Sequence, residues 1–518
     1  MSHDATTETM ISSSPSTAII NDEELIEWEL ERTEFLLDEG EWMGLLGDMK
    51  NAFEDRGDGD DGASAARLVY QRLRTYRHVD LAFNAYHGTS LLSGYKHMLS
   101  TSLSSEGAVF SNVERIKFHA EVPEAMDVLL DILRRSKPIS ITVSVEPQTG
   151  IMDTRWSNGA IALLQRLMGL APTIEELHLR GLNELSHIVQ AGLHLLLQRA
   201  RQLHKLSLES AVLSVPVMLG VASLQALTDL RITWGDEWKA LPKLLHSASL
   251  SGLPYPMLSK LRVEGHLPMV LSTLAAIKQN IKELHIRCAY TIQDTYARRQ
   301  LAIGIGEAYG HETPAGRLKE NDNEGLELLH IVIGMPVKVN NISISWSKDL
   351  QYLNWCWRLK SLSIELEDCH FEDLNIRSIT VWLVDIPDLK RLSVLWDGGS
   401  SGNWLTVDCV QALTEGCRNL TRIDLSRIDF TTGVTKAKDW RLDVGVEVWL
   451  TEARVRSTME TGSILLLTPL DRLVFHSTNR TLEEHLALAT LDAEATKSYW
   501  KADAAKRGHE ANQAIGRL

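Results

Sequence analysis

Residues 174–179 read Ile174-Glu175-Glu176-Leu177-His178-Leu179, and the same apolar spacing returns along the chain. It recurs as Leu203, Leu206, Leu208; as Leu227, Leu230, Ile232; as Leu258, Leu261, Val263; and as Ile281, Leu284, Ile286. Later copies are Val339, Ile342, Ile344; Leu359, Leu362, Ile364; Leu389, Leu392, Val394; and Leu420, Ile423, Leu425. Two apolar residues two apart, with polar residues between and beside them, describe a short strand with one buried face. The copies recur every ~20–30 residues, a period that marks stacked repeats sharing one core.

Helical spacing lies between the copies. Ile161, Leu164, Leu167 and Met168 form one stripe, and Leu185, Ile188, Val189 and Leu193 another. Strand and helix therefore alternate, which predicts an α/β chain with a parallel sheet lined by helices. Residues 113–475 are expected to form this array, with Val113, Ile116 and Phe118 as its first strand and Ile139, Ile141 and Val143 next. Two insertions interrupt it. Residues 288–325 read as a helix plus a mobile loop around Gly304, Gly306 and Gly310, and 431–469 hold a helical stretch from Val444 to Met459.

The flanks differ from the array. Residues 1–20 read as a disordered tail. Residues 21–112 read as an acidic, helical segment with a linker at 55–62, opened by Asn21 as a cap with Glu24 three residues on. Helical character is expected again from Ala63 to Tyr86. Thr481 and Glu484 form a capping box that opens a C-terminal helix over 476–518.

The repeat resembles the leucine-rich-repeat family in a divergent form. That family's unit reads L-x-x-L-x-L-x-x-N/C-x-L. The first six positions match here, whereas the ninth holds Leu182, Ala211, Gly235, Ala289, Glu367 and Asp397 in six copies. The irregular repeats are similar to those of fungal proteins that join leucine-rich repeats to an F-box. The resemblance implies an irregular solenoid and a substrate receptor for a cullin-type ubiquitin ligase, its partners being a ligase adaptor and a substrate. An F-box typically begins near Leu-Pro and runs about forty residues as three helices. Residues 21–62 have that length and apolar content but no Leu-Pro start.

Charge narrows the function classes. The formal net charge of the whole chain is −15. Residues 1–61 hold 18 acids against Arg32, Lys50 and Arg56, so the remainder is neutral. A neutral array lacks the basic footprint of a nucleic-acid binder. No apolar run of about 18 residues suggests a membrane span. No secretory signal is visible, and the five cysteines are few and odd in number, which points to reduced thiols in the cytoplasm or nucleus.

Motifs of chemistry are weak. Gly304-x-Gly306-x-x-x-Gly310 fits neither a dinucleotide fingerprint nor a Walker loop, and reads as a flexible loop. Asp55, Asp58, Asp60 and Asp61 fit no EF-hand register. Cys409 and Cys417 stand eight apart, too far for a paired zinc ligand set. No catalytic, cofactor or metal residue is therefore assigned. A hydrolase or transferase using 288–325 as a lid remains the rival reading, with Glu307, His311 and Glu312 as its acids and base.

The binding reading rests on the outward strand positions. The residue between the second and third apolar anchors is His178, Ser207, Arg231, Arg262, His285, Ser343, Ser363, Ser393 and Asp424. With Arg180 and Arg287 the first half is expected to be mildly basic, interrupted by Glu209 and Glu264, and suited to an acidic or phosphorylated protein segment. Trp234, Trp346 and Trp396 each follow a last apolar anchor by two residues, either plugging the core or forming an aromatic rim for a partner. Trp355 and Trp357 flank Cys356, and at least one is expected to face outward. The acidic head, opposite in charge to this face, is expected to screen it. An alternative is a repeat scaffold without a ubiquitin role.

Overall fold

The computed structural model of the chain describes residues 71–83, 110–146, 154–181, 187–209, 215–234, 255–277, 281–289, 297–310, 325–334, 343–367, 369–396, 405–429, 446–456, 464–467 and 473–475, with short stretches at 36–37, 40–41 and 44–45. The tail 1–20, the cap at Asn21, the linker 55–62, His311, Glu312 and the helix expected over 476–518 lie outside them. The chain forms two compact units, Met1–Gln148 and Thr149–Leu518.

In the first unit, strand β1 (Leu36–Leu37) pairs parallel with β2 (His78–Phe83), which pairs parallel with β3 (Arg115–Ala120). Helix α1 (Ala125–Arg135) then leads to β4 (Ser140–Val145), parallel to β3. Val79, Ile116 and Ile141 align, as do Leu81, Phe118 and Val143, and all six are buried. Along α1 the residues Ala125, Val128, Leu129, Ile132 and Leu133 are buried, the stripe of a helix lying on a core. Two expectations fail here. The helix expected to reach Tyr86 gives way to β2, because Val79, Leu81 and Phe83 alternate with His78, Asp80 and Ala82 at the period of two that a half-buried strand needs. A strand, β1, also lies inside the segment read as helices.

The second unit opens with α2 (Thr154–Leu170) and continues β5 (Glu176–Arg180), α3 (His187–Arg199), β6 (Lys205–Glu209), α4 (Val215–Ala222), β7 (Asp229–Thr233), β8 (Lys260–His266), α5 (Leu267–Ala276), β9 (Glu283–Ala289), α6 (Ala297–Tyr309) and β10 (Leu328–Gly334). Beyond these come β11 (Ser343–Ile344), α7 (Trp346–Asp349), β12 (Ser361–Leu366), β13 (His370–Phe371), β14 (Arg391–Trp396), β15 (Leu405–Thr406), α8 (Val407–Gly416), β16 (Arg422–Asp429), β17 (Glu447–Arg456), β18 (Ile464–Leu467) and β19 (Leu473–Phe475). The sheet order β5-β6-β7-β8-β9-β10-β12-β14-β16-β17 is parallel at every step. Strands β18 and β19 pair antiparallel with β17. The expected α/β class with a parallel sheet and alternating helices is observed.

Both apolar anchors of each strand are buried and align across it. Leu177, Leu206, Leu230, Leu261, Leu284, Leu329, Leu362, Leu392 and Ile423 form one row, each 1% exposed or less. Fully burying one such side chain is worth about 1.5–3 kcal/mol, so these rows dominate the stability of the sheet. A second regularity lies just upstream of the strands. The amide of His204 donates to the carbonyl of Glu175 at 2.9 Å, Thr228 to His204 at 2.9 Å, Ser259 to Thr228 at 3.1 Å and Lys282 to Ser259 at 2.8 Å. Glu327, Lys360, Lys390 and Thr421 continue the ladder at 2.9, 2.8, 2.9 and 2.8 Å.

Three further expectations are corrected. The sheet position assigned to Val339-Ile342-Ile344 is taken by Leu326, Leu329 and Ile331, all buried, while β11 pairs with β13 in a separate two-stranded sheet. The helical stretch expected from Val444 is β17, parallel to β16. Gly304 and Gly306 lie within α6 rather than in a loop. A Cβ on Gly306 would come 2.9 Å from the Tyr352 carbonyl and press on the Trp355 ring, so the glycine lets the helix seat closely. Leu301, Ala302 and Ile305 of this helix are buried.

The repeat position of Leu329 carries a prediction. Leu329→Ala is expected to cost about 2–5 kcal/mol in urea unfolding. His330→Ala, on the opposite face, is expected to cost less than about 1 kcal/mol. Equal costs would contradict this assignment of faces.

Candidate functional site

Strand alternation turns every second residue away from the buried anchors. On that free face the residues between the anchors align as His178, Ser207, Arg231, Arg262, His285, His330, Ser363, Ser393 and Asp424. This is the expected row with one change: His330 stands where Ser343 was expected, since Ser343 belongs to the small sheet. Arg231 is exposed, Asp424 is buried, and the others are half-buried.

Two flanking rows hold the face's other charges. Toward the N-terminal ends of the strands, Glu176, Lys205, Asp229, Lys260 and Glu283 alternate in sign in consecutive strands. Lys205 meets Glu176 at 2.5 Å and Lys260 meets Glu283 at 2.6 Å. Hydrogen bonding to Lys260 holds the Glu283 carboxyl below its ordinary pKa, against the opposing effect of burial. Toward the C-terminal ends, Arg180 lies 3.3 Å from Glu209, and Arg231 lies 3.3 Å from Glu264. Arg287 places one nitrogen 2.9 and 2.8 Å from the two Glu367 oxygens and lies 3.9 Å from Glu264. The mildly basic surface expected here is thus offset by its own carboxylates. Each such half-exposed pair contributes at most about 1 kcal/mol, so the pairing sets surface pattern more than stability.

The C-terminal rim of this face carries a cavity of about 260 Å³ lined by Trp234, Glu264, His266, Arg287, Cys288 and Glu367, among others. Clefts outside the carboxyl ends of parallel strands are common ligand sites in α/β sheets. Here Arg287 lies between Glu264 and Glu367. Burial pushes the Cys288 thiol up to about 12, so it is no nucleophile at neutral pH. Among the described residues, no group of three His, Cys, Asp or Glu side chains comes together to hold a metal.

The tryptophans do not form a binding rim. Trp234, Trp346 and Trp396 are 4%, 0% and 5% exposed. The Trp234 indole donates to Thr273 Oγ1 of α5 at 3.0 Å, and its side chain packs over Gly265, where φ is +149° and a Cβ would come within 2.6 Å. Trp346 packs on Trp382 and Phe371, with ring centroids 5.0 and 5.4 Å apart, and Phe371 also meets Trp396 at 5.8 Å. The Trp346 indole donates to the Ile379 carbonyl, and the Trp382 indole to the Trp346 carbonyl. A buried indole needs such an acceptor, and the cluster supplies one for Trp346 and one for Trp382. Trp355 and Trp357 are half-buried.

One element escaped the sequence reading. Asp373 accepts from the amides of Trp346 and Ser347 at 2.5 and 3.2 Å, from Ser345 Oγ at 2.9 Å and from Ser347 Oγ. Burial opposes its ionisation, yet these bonds hold its pKa below the ordinary value. It anchors α7 beside the tryptophan cluster, a structural role.

Within the free face, His285 is the most perturbed base. Burial, then the adjacent Arg262, His330 and Lys260, push its pKa down to about 4, with Glu283 opposing. His178 is shifted downward too, chiefly by burial. Of the residues expected to bind, Arg231, Arg262 and His285 therefore share one row, Arg180 and Arg287 lie toward its C-terminal side, and the tryptophans are in the core. Glu307 is exposed on α6, and that helix packs against α5 and the turn at Gln351–Trp355. No protein-family model and no curated protein matches the chain.

The His285 shift fixes a pH dependence. Its folded pKa lies below the ordinary value of ~6.5, so between ~6.5 and 4 the unfolded chain binds more protons and stability falls on acidification. His285→Gln removes this loss. The Tm of the wild type relative to the variant should therefore drop from pH 7.5 to pH 5, and a pH-independent difference would refute the assignment.

Proposed function

We propose that the chain is a divergent leucine-rich-repeat-like solenoid acting as a non-enzymatic recognition scaffold, whose free sheet face takes a polypeptide partner. The observation that carries this reading is the middle row of the face. From His178 to Ser393 it offers hydrogen-bonding side chains, in register, over successive strands. At ~4.8 Å per strand it spans about 34 Å, roughly the reach of ten extended residues. The upstream amide ladder from Glu175 to Thr421 supports the solenoid reading, because it repeats one backbone position through successive units.

Of the rival reading's acids and base, Glu307 is exposed on α6, and His311 and Glu312 lie outside the described residues. Tyr309 is raised by burial, and its hydroxyl donates to the Ile277 carbonyl at 2.8 Å, as a core tyrosine does. All five cysteines are buried, consistent with reduced thiols in a cytoplasmic or nuclear setting. Among the described residues no helix is long and apolar enough to cross a membrane. A substrate receptor of a cullin-type ligase is the specific form that the family resemblance suggests. It rests on residues 21–62, where β1 is a strand rather than part of a three-helix F-box. The scaffold reading does not depend on it.

Blocking the row tests the reading. Ser363→Trp with Ser393→Trp adds bulk at half-buried, outward positions without touching the apolar anchors. Quantitative mass spectrometry of proteins captured from a eukaryotic lysate should show at least a tenfold loss of the wild-type partners, with Tm nearly unchanged. An unchanged set of partners would reject the face as the binding surface.

A further inference from the structure

The middle row differs from its flanks in one respect: no carboxylate occurs in it between His178 and Ser393, although acids are frequent on both sides. Its centre places Arg231, Arg262, His285 and His330 on four neighbouring strands, with Ser207 and Ser363 beyond them. All of these side chains can donate hydrogen bonds.

Arg180, Arg231, Arg262 and Arg287 of the face are not equally engaged. Arg287 and Arg231 hydrogen-bond to carboxylates at 2.8 and 3.3 Å, and Arg180 stands 3.3 Å from one. Arg262 comes no nearer than 3.8 Å to Asp229, beyond hydrogen-bond reach. Its Nε is buried and has no hydrogen-bond partner, and the same holds for Nε2 of His285, directly opposite in the next strand. Glu283, the carboxylate nearest His285, is 3.9 Å away and is held by Lys260 at 2.6 Å. The His285 and His330 rings meet edge to face at 5.6 Å, which fixes their planes.

We infer that Arg262 and His285 form the seat for an oxyanion, a carboxylate or phosphoryl group carried by the segment that the free face recognises. An acceptor oxygen brought to these two nitrogens would satisfy both buried atoms, and its negative charge would meet the field of Arg262, Arg231 and Lys260. Burial, then Arg262, His330 and Lys260, keep His285 neutral when nothing is bound. Arg231 and His330 flank the seat, and Ser207 and Ser363 supply further donors along the segment. The inference deepens the recognition-scaffold reading and rests on it.

The test uses the full chain and three fluorescent probes in low-salt buffer: hexaglutamate, a neutral peptide bearing one phosphoserine, and its unphosphorylated twin. Fluorescence anisotropy should show binding of at least one oxyanion probe and none of the twin; which probe binds distinguishes carboxylate from phosphoryl. Arg262→Gln and His285→Gln should each weaken that binding at least tenfold. Arg391→Gln, exposed in the N-terminal row, should leave it within twofold. Circular dichroism confirms that each variant is folded. If neither oxyanion probe binds, or both seat variants bind as the wild type does, the inference fails. If the tryptophan-blocked face loses its lysate partners while Arg262→Gln and His285→Gln keep theirs, the scaffold reading survives without the oxyanion seat.

Discussion

Parallel pairing in strict register is the constraint on which the second unit depends. A parallel strand shifted by one residue would turn its whole apolar set to the wrong face. Leu177, Leu206, Leu230, Leu261, Leu284 and Leu329 fall on one line because each pairing step is in register. The ladder from Glu175 through His204, Thr228, Ser259 and Lys282 repeats just upstream of the strands. Where leucine-rich repeats use an Asn or Cys at the ninth position, this chain has none in the six copies compared. Thr228 and Thr421 hydroxyls instead add bonds to the carbonyls of His204 and Lys390, at 3.1 Å each.

The same register organises the free face. Once the anchors are aligned, the residues between them must align as well, so a row of Arg, His and Ser becomes one continuous surface feature. The flanking rows restrain its charge. Lys205 with Glu176, Lys260 with Glu283 and Arg287 with Glu367 leave the face nearly neutral overall, while the middle row is free of acids from His178 to Ser393. Such a surface selects by the placement of donors rather than by net charge, which favours specificity over bulk attraction.

Much of this was legible in the residues. The spacing of Leu206 and Leu208, or of Leu284 and Ile286, dictated strands with one buried face, and the helical stripe beginning at Ile161 is α2. The failures have physical causes. Leu326-Leu329-Ile331 has the spacing of the repeat, but the extra apolar residues Leu328, Val332 and Ile333 beside it blur the alternation, whereas Ser343–Ile344, in the competing copy, forms a two-residue strand elsewhere. Glycines 304 and 306 suggested a loop because composition cannot tell close helix packing from flexibility. Trp234 and Trp396 were placed on the inward side, but their burial depended on tertiary partners, Thr273 and Phe371, distant in sequence. The pairing of Arg287 also needed the fold: Glu367 lies eighty residues away and follows β12, two strands from β9.

The central claim is that the middle-row residues are direct neighbours on an accessible face. Paired cysteines at Ser363 and Ser393, opposite each other in β12 and β14, test it most directly. Mild oxidation of the folded protein should crosslink this pair rapidly, and should not crosslink cysteines placed at Ser361 and Leu395, which are displaced along the strands. Failure of the 363–393 pair to crosslink, with efficient crosslinking of the displaced pair, would contradict the register and the proposed binding face that rests on it.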